Sequence, residues 1–138
     1  MKKTLLLIIF LTSGIWFSNA QEADYIYDAQ IVDVYDGDTV TALVDLGFHV
    51  YTNQKLRLYG IDTPEIRGKE RAEGLLSRDI VREAILNKKV VIKTAKDKQG
   101  KYGRYLATIF VDMDQDDILD DLNQWLVDNG YAEKYKFK

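Results

Sequence analysis

Five β-type segments, with one helical stretch between the third and fourth, predict a mainly β protein with helices. The order β-β-β-α-β-β-α fits a five-stranded Greek-key barrel of the OB-fold kind. Three observations carry this expectation. Alternation of period two recurs in short runs rich in Tyr, Ile, Val and Thr. Helical periodicity is confined to two stretches, one after Lys69 and one after Asp116. Turn signals such as Asp36-Gly37-Asp38 and Asp97-Lys98-Gln99-Gly100 separate the runs.

The first strand spans Tyr25 to Tyr35, and its alternation breaks at Val32-Asp33-Val34, as at a bulge. In the second, Val40, Ala42 and Val44 alternate with Thr39, Thr41 and Leu43, the pattern of a half-buried strand. The third puts Phe48, Val50, Leu56 and Leu58 on one face and His49, Tyr51, Lys55 and Arg57 on the other. A helix from about Lys69 to Leu86 gathers Ala72, Leu75, Leu76, Ile80 and Ala84 into one stripe. Strands follow over Lys89–Thr94 and Tyr105–Val111. The last helix is expected to start near Asp116 as N-cap, to bury Ile118, Leu119, Leu122, Trp125 and Leu126, and to stop at Asn129-Gly130.

Residues 1–20 have the make-up of a signal peptide: Lys2 and Lys3, an apolar run from Leu5 to Leu11, and small residues at Ser18-Asn19-Ala20. The expected localisation is secreted or periplasmic; the competing reading is a retained N-terminal anchor. Residues 21–138 then form one domain, expected to be a monomer without stable membrane association once the leader is removed. The chain has no cysteine, so its stability must come from packing. Charge is strongly segmented. Residues 21–53 hold seven acids and no Lys or Arg, residues 54–104 fourteen bases against seven acids, and residues 105–138 three bases against eight acids. The middle third can therefore offer a positive face to nucleic acid despite the net charge of −3.

Three short motifs carry the chemistry: Val34-Tyr35-Asp36-Gly37-Asp38-Thr39, then Leu56-Arg57-Leu58 followed by Asp62-Thr63-Pro64-Glu65, then Lys101-Tyr102-Gly103-Arg104. Carboxylates at turns can grip a hard cation, paired arginines can clamp a phosphate, and a further glutamate can activate water. Each motif is common alone, and their order is what discriminates.

In these motifs and their order the chain resembles the staphylococcal nuclease (thermonuclease) family over roughly residues 26–135. The resemblance implies an OB barrel and a metal-dependent phosphodiesterase. Asp38 and Asp62, with the backbone carbonyl of Thr63, would hold Ca2+, whose loose shell of oxygen ligands suits such a set. Asp36 would orient water or turn amides around that site. Arg57 and Arg104 would clamp phosphate and stabilise the added charge of a five-coordinate transition state. Glu65 would position or deprotonate the attacking water, an ordinary carboxylate being a weak base. Lys101 and Tyr102 would contact substrate phosphate. Tyr135 lies about one residue out of register with a family tyrosine that stacks on a base.

The implied activity is calcium-dependent, sugar-non-specific hydrolysis of DNA and RNA to products with 3′-phosphate ends. An OB groove should take single strands in preference to rigid duplex. The rival reading is a catalytically inactive OB module that binds nucleic acid or a peptide. A pure phosphate binder gains nothing from Asp38, Asp62 and Glu65 beside the phosphate, because without a cation they repel it. Asp112, Asp114 and Asp116 imitate the opening of an EF-hand loop, but Asp117 and Asn123 stand where that loop needs Gly and Glu. The expectation there is a hairpin end leading into an acidic helix start. His49 and Trp125 read as packing residues.

Overall fold

The computed structural model describes residues 25–99 and 103–136, with side chains for all of these except 96–99. Strands β1 (Ile26–Val34), β2 (Thr39–Asp45) and β3 (Tyr51–Leu58) form an antiparallel meander. After the two-residue β4 (Ile61–Asp62) and a 3-10 turn at Gly68–Glu70 comes helix α1 (Arg71–Ile85). Strands β5 (Lys89–Gln99) and β6 (Tyr105–Val111) follow, then β7 (Asp120–Asp121), helix α2 (Leu122–Asp128) and β8 (Glu133–Lys134). The strand order is β3-β2-β1-β5-β6-β7. A parallel pairing of β3 with β6, Leu56 opposite Tyr105 and Leu58 opposite Ala107, closes five strands into a barrel.

The barrel is filled by the inward positions of each strand. Ala29, Ile31 and Val34 on β1, Val40, Ala42 and Val44 on β2, Leu56 and Leu58 on β3, Ile92 on β5 and Ile109 on β6 are all buried. Ile31 and Val34 are both buried because the β1–β2 register slips between Ile31 and Asp33. The bulge expected at Val32 is present, and it restores the pleat so that β1 keeps its apolar face inward beyond the slip.

Four local expectations are corrected. Phe48 and Val50 do not belong to the core: β3 begins at Tyr51, and residues 47–49 form a hairpin tip with Phe48 99 % exposed. The buried face of α1 is Gly74, Ser77, Val81 and Ile85, while Leu76 is exposed. Small residues set that register, since Ser77 Oγ donates to the Tyr131 carbonyl at 2.8 Å and Gly74 lies on the backbone of Glu65. β5 runs on to Gln99, past the turn expected at Asp97, with a register shift against β6 between Thr94 and Gln99. The cap of α2 is Asp121, which accepts from Gln124 N at 3.0 Å, and Ile118 and Leu119 stay exposed ahead of the helix. The stop at Asn129-Gly130 stands, Gly130 having φ +77°.

Asn123 locks α2 to the barrel from a buried position. Its Nδ2 donates to the carbonyls of Tyr59 and Ala107 at 3.0 and 3.1 Å, and its Oδ1 accepts from Ile109 N at 3.2 Å. One side chain thus satisfies three backbone groups where β3, β6 and α2 meet.

Candidate functional site

The site forms at the barrel end where β1 turns into β2 and β3 runs out toward β4. In the turn, Asp36 Oδ1 accepts from Asp38 N at 3.1 Å, an Asx-type turn of the kind Asp-Gly-Asp favours. Gly37 is required by contact: a Cβ there would lie 2.8 Å from the Thr63 side chain. That approach brings the β1–β2 turn against the Asp62-Thr63 segment. Asp38 is buried, and its Oδ2 accepts from both Thr63 N at 2.8 Å and Thr63 Oγ1 at 3.0 Å. Residues 25 positions apart in the sequence are thereby held as one unit.

Arg57 lies opposite Thr39 across the β2–β3 pairing. It points away from the barrel interior as expected, yet it is only 8 % exposed because carboxylates enclose it. Its Nη2 donates to Asp62 Oδ1 at 2.6 Å. Its Nη1 forms an ion pair with Asp38 Oδ1 but makes no directed hydrogen bond. Burial pulls the Arg57 pKa below its ordinary value, Asp62 opposes this, and the charge of Arg104 adds to the lowering. Burial also raises the Asp36 carboxyl, against the pull of the Thr39 hydroxyl and of Arg57.

Arg104 Nη1 donates to Thr39 Oγ1 at 2.8 Å, and Thr39 Oγ1 in turn donates to Asp38 Oδ1 at 3.2 Å. Arg104 and Arg57 are therefore linked through the β2 start. Beside Arg104, Tyr35, Thr39 and Lys55 line a shallow basin of about 230 Å³. Tyr35 and Lys55 were not foreseen as site residues. Tyr35 stands inside the first motif, and Lys55 shares the outward face of β3 with Arg57, which were the signals the sequence offered for them.

Asp36, Asp38, Arg57, Asp62, Thr63 and Arg104 are thus brought together. Glu65 is exposed on the loop that follows Thr63; its N–H donates to Glu70 at 3.3 Å, and its carbonyl carries the close packing of Gly74. Gly74, a helical glycine, is the third residue that sequence reasoning missed, and its signal was a glycine in the middle of an otherwise helical run. Tyr135 lines a different groove of about 310 Å³ with Tyr59, Asn123 and Lys134, and its N–H donates to the Gly60 carbonyl at 2.8 Å. It is two residues beyond Glu133, the β-partner of Asp62. Lys101 and Tyr102 lie outside the described residues.

Residues 55–138 match the family described as staphylococcal nuclease homologues. The chain belongs to this family. The matched stretch contains Arg57, Asp62, Thr63, Glu65 and Arg104, and the fold adds Asp36 and Asp38 from β-structure that precedes it. The chain is similar to an uncharacterized protein of Methanocaldococcus jannaschii, 31 % identical over 130 residues, covering 79 % of this chain and 59 % of that protein. It is also similar to a thermonuclease of Staphylococcus hyicus, 30 % identical over 105 residues, covering 74 % of this chain and 56 % of that protein. The chain thus spans less than two thirds of the length of either relative.

The set of groups suits a divalent cation. Asp36, Asp38 and Asp62 gather around two guanidinium groups, and Glu65 stands exposed on the adjoining loop. All donors are oxygen, and none is sulfur or imidazole. Arg57 Nη1 is buried in its ion pair with Asp38 Oδ1. Away from this site, carboxylate oxygens of Asp112, Asp114 and Asp116 lie within 4.8 Å of one another. Asp112 accepts from the N–H groups of Asp116 and Asp117, so backbone turns account for that cluster. The helix-start explanation expected for it lapses, because α2 begins at Leu122.

Proposed function

We propose that this nuclease-family chain is a calcium-dependent, sugar-non-specific phosphodiesterase that cleaves DNA and RNA and leaves 3′-phosphate ends. The observation that carries the reading is Arg57 held between Asp38 and Asp62, next to Arg104. A module built only to bind phosphate would not surround its arginine with carboxylates. The thermonuclease relative supports the same reading.

Asp38, Asp62 and the Thr63 carbonyl would hold the ion, with Asp36 ordering the turn amides around it. The ion's chemistry there would be charge neutralisation and polarisation of a phosphate oxygen. Glu65 would take a proton from, or orient, a water approaching phosphorus. Arg57 and Arg104 offer planar donor forks to the phosphoryl oxygens and oppose the charge that develops on them. The 5′ oxygen departs, and the 3′ oxygen keeps the phosphate. Tyr35 and Lys55 extend the site along the strand, where an aromatic face and a cation suit a flanking nucleotide. Single strands should be preferred, and export by the N-terminal leader would place this activity outside the cytoplasm.

The test is cleavage of single-stranded DNA and RNA by the purified chain with calcium, with magnesium and with a chelator, followed by end-group analysis. Calcium should support cleavage and magnesium should not, because magnesium demands a tighter octahedral shell. Full activity in chelator with no bound metal would overturn the mechanism. Equal rates on single strands and a GC-rich duplex would overturn the strand preference.

A further inference from the structure

Arg82 stands on the border of the packed face of α1, directly after buried Val81 and shortly before buried Ile85. A long cation at such a border ordinarily sends its head into water. Arg82 instead turns both Nε and Nη2 onto one main-chain oxygen, the Val34 carbonyl, at 3.2 and 3.0 Å. Among the described residues it forms no ion pair. Its fork is committed to the backbone at the end of β1.

The position of that carbonyl explains the need. β1 pairs with β5 over Ile26 to Gln30. At Ile31 the loop after α1 takes over: Ile31 N–H donates to the Lys88 carbonyl at 3.1 Å, and the Ile31 carbonyl accepts from Asn87 N–H at 2.8 Å. Past the bulge, among the described residues, no strand pairs that edge of β1. Arg82 reaches across and meets its last carbonyl. Two charge-assisted bonds from one planar group hold that oxygen more firmly than a neutral donor would.

The same peptide is gripped from its other side. Tyr35 N–H donates to the Thr39 carbonyl at 3.0 Å, so the plane between Val34 and Tyr35 is fixed by α1 through C=O and by β2 through N–H. Thr39 in turn accepts from Arg104 Nη1 through its hydroxyl at 2.8 Å. A continuous line of hydrogen bonds thus leads from Arg82 to Arg104, with Tyr35 at the basin beside it. The carboxylate side of the site hangs on a different set of bonds, from Thr63 N–H and Oγ1 to Asp38 Oδ2.

We infer that Arg82 is a positioning residue for the phosphate side of the site: it fixes the Val34–Tyr35 peptide and, through Thr39, sets where Arg104 meets substrate. The effect on cleavage rests on the nuclease reading; the link from α1 to the turn does not. A brace that served stability alone would loosen both sides of the site together when cut. Arg82 loosens one.

Amide exchange followed by NMR in the full chain reads the link without substrate. Arg82→Met keeps length and removes the fork, so exchange at Tyr35 N–H should quicken about tenfold or more relative to Thr63 N–H. Ser77→Ala, which removes the bond from α1 to the Tyr131 carbonyl, should leave that ratio at the parent value. Arg82→Lys keeps the charge without the fork; its ratio should fall between, and it carries the test if the methionine variant does not fold. In calorimetry the calcium affinity of Arg82→Met should stay close to the parent's, while kcat/KM on a short single strand falls about tenfold or more. In an Arg104→Lys background the same change should cost far less, because both act through one group. An exchange ratio unmoved by Arg82→Met, or moved as far by Ser77→Ala, would overturn the inference. So would independent, multiplying losses in the double variant, or a calcium affinity that falls as far as kcat/KM. A parent chain that cleaves nothing would count against the nuclease reading instead, and the exchange ratio would still decide the role of Arg82.

Discussion

Replacing Gly74 by alanine tests how the Pro64-Glu65 loop is held. In an ordinary mid-helix position this change stabilises by roughly 0.5–1 kcal/mol, because alanine loses less backbone freedom on folding. Here an ideal Cβ would lie 2.2 Å from Glu65 O, 2.5 Å from Glu65 C and 2.7 Å from Pro64 O. These are backbone atoms and cannot turn aside as a flexible side chain would. Reaching an ordinary contact of 3.4 Å requires α1 and the loop to separate by about 1.2 Å. Overpacking of this kind costs about 1–3 kcal/mol, which outweighs the propensity gain. For a domain of this size the melting temperature should fall by roughly 4–15 °C. Under the proposed mechanism this loop carries the carboxylate that acts on water, and a shift near 1 Å there can cost about 10²-fold in rate. Calcium affinity should change less, because Asp38 and Thr63 are tied to each other rather than to α1. Urea titration, single-turnover cleavage of a short single strand and calcium calorimetry measure the three effects. A Gly74→Ala chain as stable and as active as the parent would refute this account of the loop.

Further outcomes follow from the same geometry. Glu65→Gln should slow the chemical step by about 10²–10⁴-fold in single-turnover kinetics while calcium and a nucleotide still bind. Arg57→Lys and Arg104→Lys keep the charge and lose the planar fork, so kcat should fall more than KM rises. Asn123→Ala should cost about 3 kcal/mol or more in urea unfolding, since it strips partners from the Tyr59 and Ala107 carbonyls and Ile109 N. Asp36 titrates above its usual 3.8 because burial disfavours its charge, so its contribution to stability is present at low pH and lost as pH rises through the raised value. In chelator, Asp36→Asn should therefore be more stable than the parent near neutral pH, with the difference vanishing below about pH 3.8, as read by thermal melts.

The barrel was legible because its signals are local. Alternation along β2 and the tail of β3, the bulge after Ile31 and the Tyr105–Val111 strand all follow from nearest neighbours on a pleat. What was not legible depends on distant partners. The α1 stripe centred on Leu75, Leu76 and Ile80 is the more hydrophobic choice, yet the helix turns Gly74 and Ser77 inward because the 64–65 loop and Tyr131 leave no room for more. Ile118 and Leu119 read as the first turn of a helix, whereas β7 pairs with the end of β6 and delays the helix to Leu122. Phe48 and Val50 satisfied the β3 alternation on paper, but the turn begins after Leu46 and takes them out of the sheet. At the site, the motifs named the right groups and could not show that Asp38 and Thr63 share hydrogen bonds, nor that Lys55 and Tyr35 flank Arg104.

Arg57 shows why the carboxylates and the arginines belong to one function. Two like charges about 4 Å apart repel by roughly 4 kcal/mol at the effective dielectric of a protein surface, so Asp38 and Asp62 need a cation between them. In the structure Arg57 fills that role, giving Nη2 to Asp62 and resting Nη1 against Asp38. The same guanidinium cannot also meet a phosphate while it alone neutralises both acids. Under the proposed reading, a divalent ion held by the acids would release Arg57 toward substrate. Binding of metal and of phosphate would then be coupled through a single side chain, and the coupling must be reciprocal. A simple phosphate-binding groove has no use for such an arrangement, since its arginines would bind best with no acids beside them. Under the proposed reading, the acids serve a substrate that arrives together with a cation.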